Sequence, residues 1–336
     1  MRVRPPRVSP RTFRRITLLA VWALGFIIFT GGAVRLTGSG LGCPDWPTCA
    51  RHRVVAPWQY HAMVEFGNRT VTGIVSGAVI LAVLASHGRS PRRRDLIWLS
   101  WGLVLGLIGQ IVVGGLAVRA KLAPGFVMSH FLLSIALLLD ALILHHRASA
   151  PEDPADERGR GRIRGPARAV VSREQVLMTR LLVAAAALVI VLGTVVTSSG
   201  PHGGDPKAKR FPYSLHDVAR LHGTAVWLFL AIAVATLWSL HRGRAPASVM
   251  RQGEAVILVA VVQGGVGYLQ YFTGVPAGLV AVHVALATLL WAVTVRFALG
   301  VWVRPGTPED PPEVWASPAA HDPSAHDPSD RILASG

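Results

Sequence analysis

Three histidines in this chain fall inside long apolar runs: His130, His222 and His283. An ionisable side chain at membrane depth is expensive and functional by default. Each lies about three to seven residues past one end of its run, a depth of roughly 5–10 Å at the helical rise of about 1.5 Å per residue. Three imidazoles at one level on alternate helices form a layer. Layered histidines facing the centre of a helix bundle suit axial ligation of heme iron. A proton relay is the competing chemistry. Most other histidines fall in loops or at the ends of the runs.

The run that should supply a fourth member reads HAMVEFGNRTVTG over 61–73. Asn68 stands where His222 stands in its own run, with Glu65 one turn outward and Arg69 four residues after Glu65. Glu65 and Arg69 have the spacing of a helical ion pair. The functional reading is a carboxylate at the edge of a heme pocket, acting as a base or stabilising developing positive charge. Arg35, Arg69 and Arg220 are candidates to pair with heme propionates, and simple snorkelling accounts for each equally well. Cys43 and Cys49, the only cysteines, share the segment GLGCPDWPTC. Their spacing is neither a zinc nor a c-type heme signature, and a disulfide there, structural or redox-active, is permitted.

Positioning these residues takes membrane helices. Of 336 residues, 51% are hydrophobic and 15% charged, where a soluble domain carries about 25% charged. Mean hydropathy is +0.44. Disorder and a disulfide-rich mini-fold are both excluded. Apolar runs at 16–37, 63–86, 95–118, 124–146, 174–197, 219–242, 250–272 and 276–300 each approach the roughly 20 residues of a bilayer span. The first is read as retained rather than cleaved. The net charge of +16 invites a nucleic-acid reading. The placement of the basic residues decides against it. If the spans alternate, one side holds 20 Lys and Arg and the other seven. The positive-inside rule makes the richer side, with both termini, cytoplasmic. The charge then reports orientation and contact with anionic membrane lipid, and no nucleic-acid motif accompanies it.

The chain also repeats. Gln110 precedes His130 by the same 20 residues that separate Gln263 from His283. Between them Val113, Gly114, Leu116, Gly125 and Val127 match Val266, Gly267, Leu269, Gly278 and Val280. The expected fold is all-α and integral to the membrane, with eight transmembrane helices as two pseudo-symmetric four-helix bundles in parallel repeat. The expected organisation is a basic arm 1–15, a first bundle 16–146, a linker 147–173, a second bundle 174–300 and a disordered tail 301–336.

Across residues 16–300 the chain resembles the heme A synthases, membrane enzymes that convert heme O to heme A. The resemblance is carried by TGGAVRLTGSGLGCPDWPTC (30–49), HAMVEFGNR (61–69), GQIVVGGLAVRAKLAPGFVMSH (109–130), TSSGPHGGD (197–205), RLHG (220–223) and QGGVGYLQYFTGVPAGLVAVH (263–283). It implies a heme b cofactor in the second bundle on His222 and His283. It implies heme O as substrate in the first bundle on His130, with Glu65 catalytic in oxidising a methyl to a formyl through hydroxylated intermediates, water supplying the oxygen. It further implies that Cys43 and Cys49 are disulfide-paired, a plasma-membrane location, and work alongside heme O synthase and cytochrome oxidase assembly factors. One departure stands out: the family pattern has a histidine where this chain has Asn68. Either the substrate heme is five-coordinate on His130, the favoured reading, or another group such as His61 replaces the ligand. The competing functions are a non-catalytic diheme b-type electron carrier and a proton-coupled transporter.

Overall fold

Short polar and proline signals decide where the apolar runs become helices. The computed structural model describes residues 7–50, 54–156 and 158–306. Its first helix, α1 (Pro10–Leu36), starts earlier than expected, because the Ser9 side chain accepts the Thr12 backbone N–H and Pro10 occupies the first turn. Residues 10–15, expected in the basic arm, are therefore helical. The second and third helices are α2 (Tyr60–Gly88) and α3 (Arg94–Arg119), followed by α4 (Pro124–Ala148). A capping box between Ser172 and Gln175 opens α5 (Arg173–Ser199). The last three are α6 (Leu215–Arg242), α7 (Ala247–Phe272) and α8 (Ala277–Gly300). All eight are long and apolar enough to cross a membrane. Their outward faces carry large apolar side chains such as Trp22, Trp98 and Phe272, each more than 70% exposed. In water such a surface would be a liability, whereas in lipid it is the solvated face.

Helices α1 to α4 close a ring by packing α1 on α2, α2 on α3, α3 on α4 and α4 on α1. Helices α5 to α8 close a second ring in the same order. Between the rings α8 packs on α1 and on α4, and α4 packs on α5. Exchanging the halves turns the α1–α8 contact into α5–α4 and leaves α4–α8 unchanged, the signature of a two-fold relation. Local geometry repeats as well. Gln110 Nε2 donates to the His130 carbonyl at 3.1 Å, and Gln263 Nε2 to the His283 carbonyl at 3.0 Å. In the turn before α4 the Leu122 N–H reaches the Ala117 carbonyl at 2.8 Å; before α8 the Val275 N–H reaches the Gln270 carbonyl at 2.7 Å. Both turns hold a non-glycine residue at positive φ, Leu122 at 58° and Val275 at 61°, a costly conformation for a branched side chain. Close packing uses small residues: a Cβ on Gly106 of α3 would lie 2.3 Å from Leu137 of α4.

The segment joining the halves is tied down rather than loose. Glu152 accepts from Arg93 at 2.9 Å and pairs with Arg89, and Arg93 also holds Asp95 and the Arg147 carbonyl. Burial lowers the Arg93 pKa, but hydrogen bonds and charge from Asp95 and Glu152 outweigh it and hold the guanidinium above its ordinary value. Burial prevails at Arg89, which is lowered despite Glu152. Two short strands, β1 (Arg168–Ala169) and β2 (Trp302–Val303), pair antiparallel. Residues 301–306, expected in the disordered tail, thus pack against the segment before α5, with Val301 fully buried. The rest of that expected tail, from residue 307, lies outside the described residues, as do positions 1–6 of the basic arm.

Candidate functional site

The second ring encloses a cavity of about 610 Å³, lined from all four of its helices. His222 of α6 and His283 of α8 both face it, with ring centroids 6.4 Å apart and ring planes at 70°. The Nδ1 of His222 lies 3.1 Å from the Val189 carbonyl of α5. A carbonyl only accepts, so Nδ1 carries the proton and Nε2 keeps its lone pair for a ligand. Glycines make room for the rings: a Cβ on Gly193 would lie 3.2 Å from His222, and one on Gly267 3.1 Å from His283.

These residues fit a heme. Two imidazoles joined through one metal, each bond about 2 Å long, put their ring centres roughly 6 Å apart, which is the spacing observed. Among the described residues no group of three or more His, Cys, Asp or Glu side chains converges as a metal site. A pair of histidines is nonetheless what a porphyrin needs, because the macrocycle supplies the other nitrogens. Arg35 and Arg220 line the same cavity. Arg35 reaches it from α1 of the other half, donating to the His202 carbonyl at 2.7 Å and the Thr197 carbonyl at 2.9 Å. Arg220 is exposed. From α4 of the first half, Met128 and Phe131 also reach this cavity.

The first ring holds the other residues. His130 of α4 rests on Gly114 of α3, whose Cβ would lie 3.1 Å from the ring. Its Nδ1 is buried without a hydrogen-bond partner. Asn68 of α2 accepts a hydrogen bond from Thr30 of α1 at 2.8 Å. His61 is exposed and bonded to Ser39 Oγ at 3.0 Å. Glu65 is buried, and both of its oxygens are engaged. One accepts the Cys43 backbone N–H at 2.7 Å and the other accepts from Arg69 at 2.7 Å. The helical ion pair expected from spacing therefore forms. Arg69 also donates to the Thr48 and Cys43 carbonyls, so its guanidinium grips the loop between α1 and α2. Cys43 and Cys49 are joined by a disulfide within that loop.

Sequence reasoning passed over Trp46, although it stands between the two cysteines. Its ring packs on Gly115, where a Cβ would approach to 2.8 Å. The disulfide loop thus spans from Glu65 to the stretch of α3 beside His130. Asp140, an acid inside the fourth apolar run, is a second residue that the sequence reading did not single out. It lies in α4 against Gly102 and has no hydrogen bond or ion pair among the described residues.

A family model described as cytochrome oxidase assembly protein, COX15-CtaA, matches residues 14–202, more than half of the chain. The chain belongs to the COX15-CtaA family. It is similar to the heme A synthases of Geobacillus kaustophilus (strain HTA426) and Geobacillus thermodenitrificans, each 33% identical over 106 residues. These matches cover 31% of this chain and 32% of each relative. The heme A synthase of Bacillus cereus (strain G9842) is 28% identical over 121 residues, 35% of this chain and 38% of the relative. The matched stretches therefore span about a third of each relative's length. The COX15-CtaA match takes in the first ring from residue 14 of α1 onward, and α5, but stops before His222 and His283. The cavity histidines rest on the geometry above.

Proposed function

We propose that this chain is a heme A synthase that binds heme b in the second ring and oxidises a methyl group of heme O held by the first. The observation that carries the reading is the His222–His283 pair, 6.4 Å apart across a 610 Å³ cavity. Repeat-related His130 in the other ring supports a second heme there. Bound on the histidine pair, heme b supplies one-electron redox chemistry.

The substrate change takes four electrons from the methyl, which pass to an external one-electron acceptor, adds one oxygen from water and releases four protons. Glu65 is the chain's candidate for two tasks in it. Its negative charge, in a site closed by the disulfide loop, stabilises positive charge developing beside the macrocycle. Its carboxylate also accepts a proton as water adds. The Cys43 N–H and Arg69 fix its orientation from both sides. Asn68 leaves one face of the substrate iron open, with His130 as the ligand on the other. Arg35 and Arg220 are positioned for carboxylates at the second-ring cavity. Arg35 already donates to two carbonyls, and Arg69 to Glu65 and loop carbonyls, so Arg220 is the strongest propionate candidate of the three.

The 20-to-seven basic asymmetry supports an orientation with the disulfide loop outside and both ends cytoplasmic, and the family resemblance supports the plasma membrane. Heme O synthase and oxidase assembly factors are the expected neighbours. The test is expression in a host that makes heme O, followed by heme extraction and mass analysis. Hydroxylated and formyl hemes are expected. Bound heme b with unchanged heme O would leave a non-catalytic diheme carrier, and purified protein with no heme absorbance would remove both heme readings.

A further inference from the structure

At the arginine-rich end of the bundle, the seam between the two rings carries a cation cluster that the heme chemistry does not use. Arg14 in the first turns of α1, His145 in the last turn of α4 and Arg296 in the last turns of α8 stand at the same end of the bundle. These three helices pack on one another. His145 is held in place by Thr17, fully buried, whose hydroxyl lies 3.0 Å from Nδ1 and donates to the Arg14 carbonyl at 2.9 Å. Both arginines are exposed, and neither enters an ion pair or side-chain hydrogen bond among the described residues. Neighbouring acids are committed elsewhere: Asp95 and Glu152 to Arg89, Arg93 and Arg147, and Asp140 sits against α3.

Below these cations the surface turns apolar. Leu18 and Trp22 follow Arg14 at four-residue spacing on one face of α1, 41% and 71% exposed. Leu289, 46% exposed, lies two turns from Arg296 on the same face of α8. The cluster is not a general property of the fold. The 153-residue offset relating His130 to His283 puts Ala298 opposite His145 and Ile143 opposite Arg296. The pseudo-equivalent seam thus lacks counterparts of His145 and Arg296.

We infer that this seam binds the headgroup of an anionic phospholipid, its phosphate between Arg14 and Arg296 and its acyl chains along Leu18, Trp22 and Leu289. Cations with no ion pair among the described residues, above exposed apolar side chains of two packed membrane helices, match such a lipid's charge and amphipathy. A free phosphate would have no use for the apolar side chains.

The full chain is purified in detergent from a membrane containing phosphatidylglycerol, and its retained lipid is identified and counted by mass. Retained phosphatidylglycerol is expected in the unaltered chain. Arg14→Gln and Arg296→Gln each lower its affinity about fivefold, the contribution of one cation facing an anionic leaflet. Arg14→Lys and Arg296→Lys restore it, separating charge from folding. Arg158→Gln and Arg162→Gln, exposed on the connecting segment, leave it unchanged. Equal retention in the Gln variants overturns the proposal, as does an equal loss in the connecting-segment controls. Competition by inorganic phosphate as effective as by short-chain phosphatidylglycerol overturns the lipid assignment in favour of a free anion.

Discussion

The Thr30 hydroxyl donates to Oδ1 of Asn68 across 2.8 Å, joining α1 to α2 at the position aligned with His222. That oxygen is the only Asn68 atom that could ligate, since an amide nitrogen donates, and the Thr30 bond turns one of its two lone pairs toward α1. Asn68→His would put an imidazole at that position, where the proposed first-ring heme site would use it. Its expected outcome is a shift of the substrate heme from high-spin five-coordinate to low-spin six-coordinate, read from the absorption and resonance spectra. An unchanged spin state would mean that position 68 does not face the iron.

Glu65→Gln keeps the shape and an oxygen for the Cys43 N–H, and removes the charge together with the acceptor for Arg69. Conversion of heme O is expected to fall at least about 100-fold, the scale of losing one preorganised electrostatic group. Bound heme b should be unaffected, because His222 and His283 lie in the other ring. Near-normal conversion would reduce Glu65 to half of a structural clamp with Arg69.

Much of this was legible in the chain. The eight helices follow from hydropathy because a bilayer leaves the backbone few alternatives. The duplication follows from one spacing, Gln110 to His130 and Gln263 to His283, which the structure turns into the same hydrogen bond twice. Helix starts were less legible: Pro10 extends α1 into a basic stretch because caps, not apolarity, set the first turn. The Cys43–Glu65 bond was not legible at all, since a backbone N–H has no sequence signature. Trp46 was visible as a residue but not as a contact, because it lies in a loop and its partner Gly115 lies far along the chain in α3. The docking of segment 147–173 depends on Glu152 meeting two arginines about 60 residues earlier, and its Gly, Pro and charge content reads equally well as a tether.

His222→Ala and His283→Ala should each abolish the low-spin heme b spectrum. A gentler test uses Gly193, where a Cβ would press on His222 at 3.2 Å. Gly193→Val is expected to tilt that ring and weaken or broaden the heme b absorption. Gly25→Ala, where nothing lies within 4 Å, should change nothing. Identical spectra for the two glycine variants would argue against His222 as a ligand.

Cys43→Ser opens the disulfide and frees the loop whose backbone holds Glu65. A loss of about 2–3 kcal/mol is expected for a short closed loop, read as a lower melting midpoint in detergent. If the disulfide is only structural, heme O conversion should fall in step with loop order and recover at lower temperature. Conversion lost completely, with the melting midpoint unchanged, would assign the cysteines a redox part.

The strongest single-residue effect on the arginine-rich end is expected at Glu152. Its carboxylate serves Arg89 and Arg93, whose side chains are 0% and 1% exposed. Arg93 keeps Asp95 if Glu152 is lost, but Arg89 has no second acid among its described ion pairs and already buries an unpartnered Nε. Glu152→Ala therefore strands a buried cation, at a cost of about 3–5 kcal/mol. Because Glu152 also begins the connecting segment, the loss should appear first as release of that segment. Trypsin should cut at Arg158 to Arg164 faster than in the unaltered chain, before the helices melt. Replacing Arg89 by Met in the same background removes the stranded charge and should recover much of the melting midpoint while leaving the segment open to trypsin. Equal protease resistance in the Glu152→Ala and unaltered chains would show that the segment is held by β1–β2 pairing and its other contacts instead.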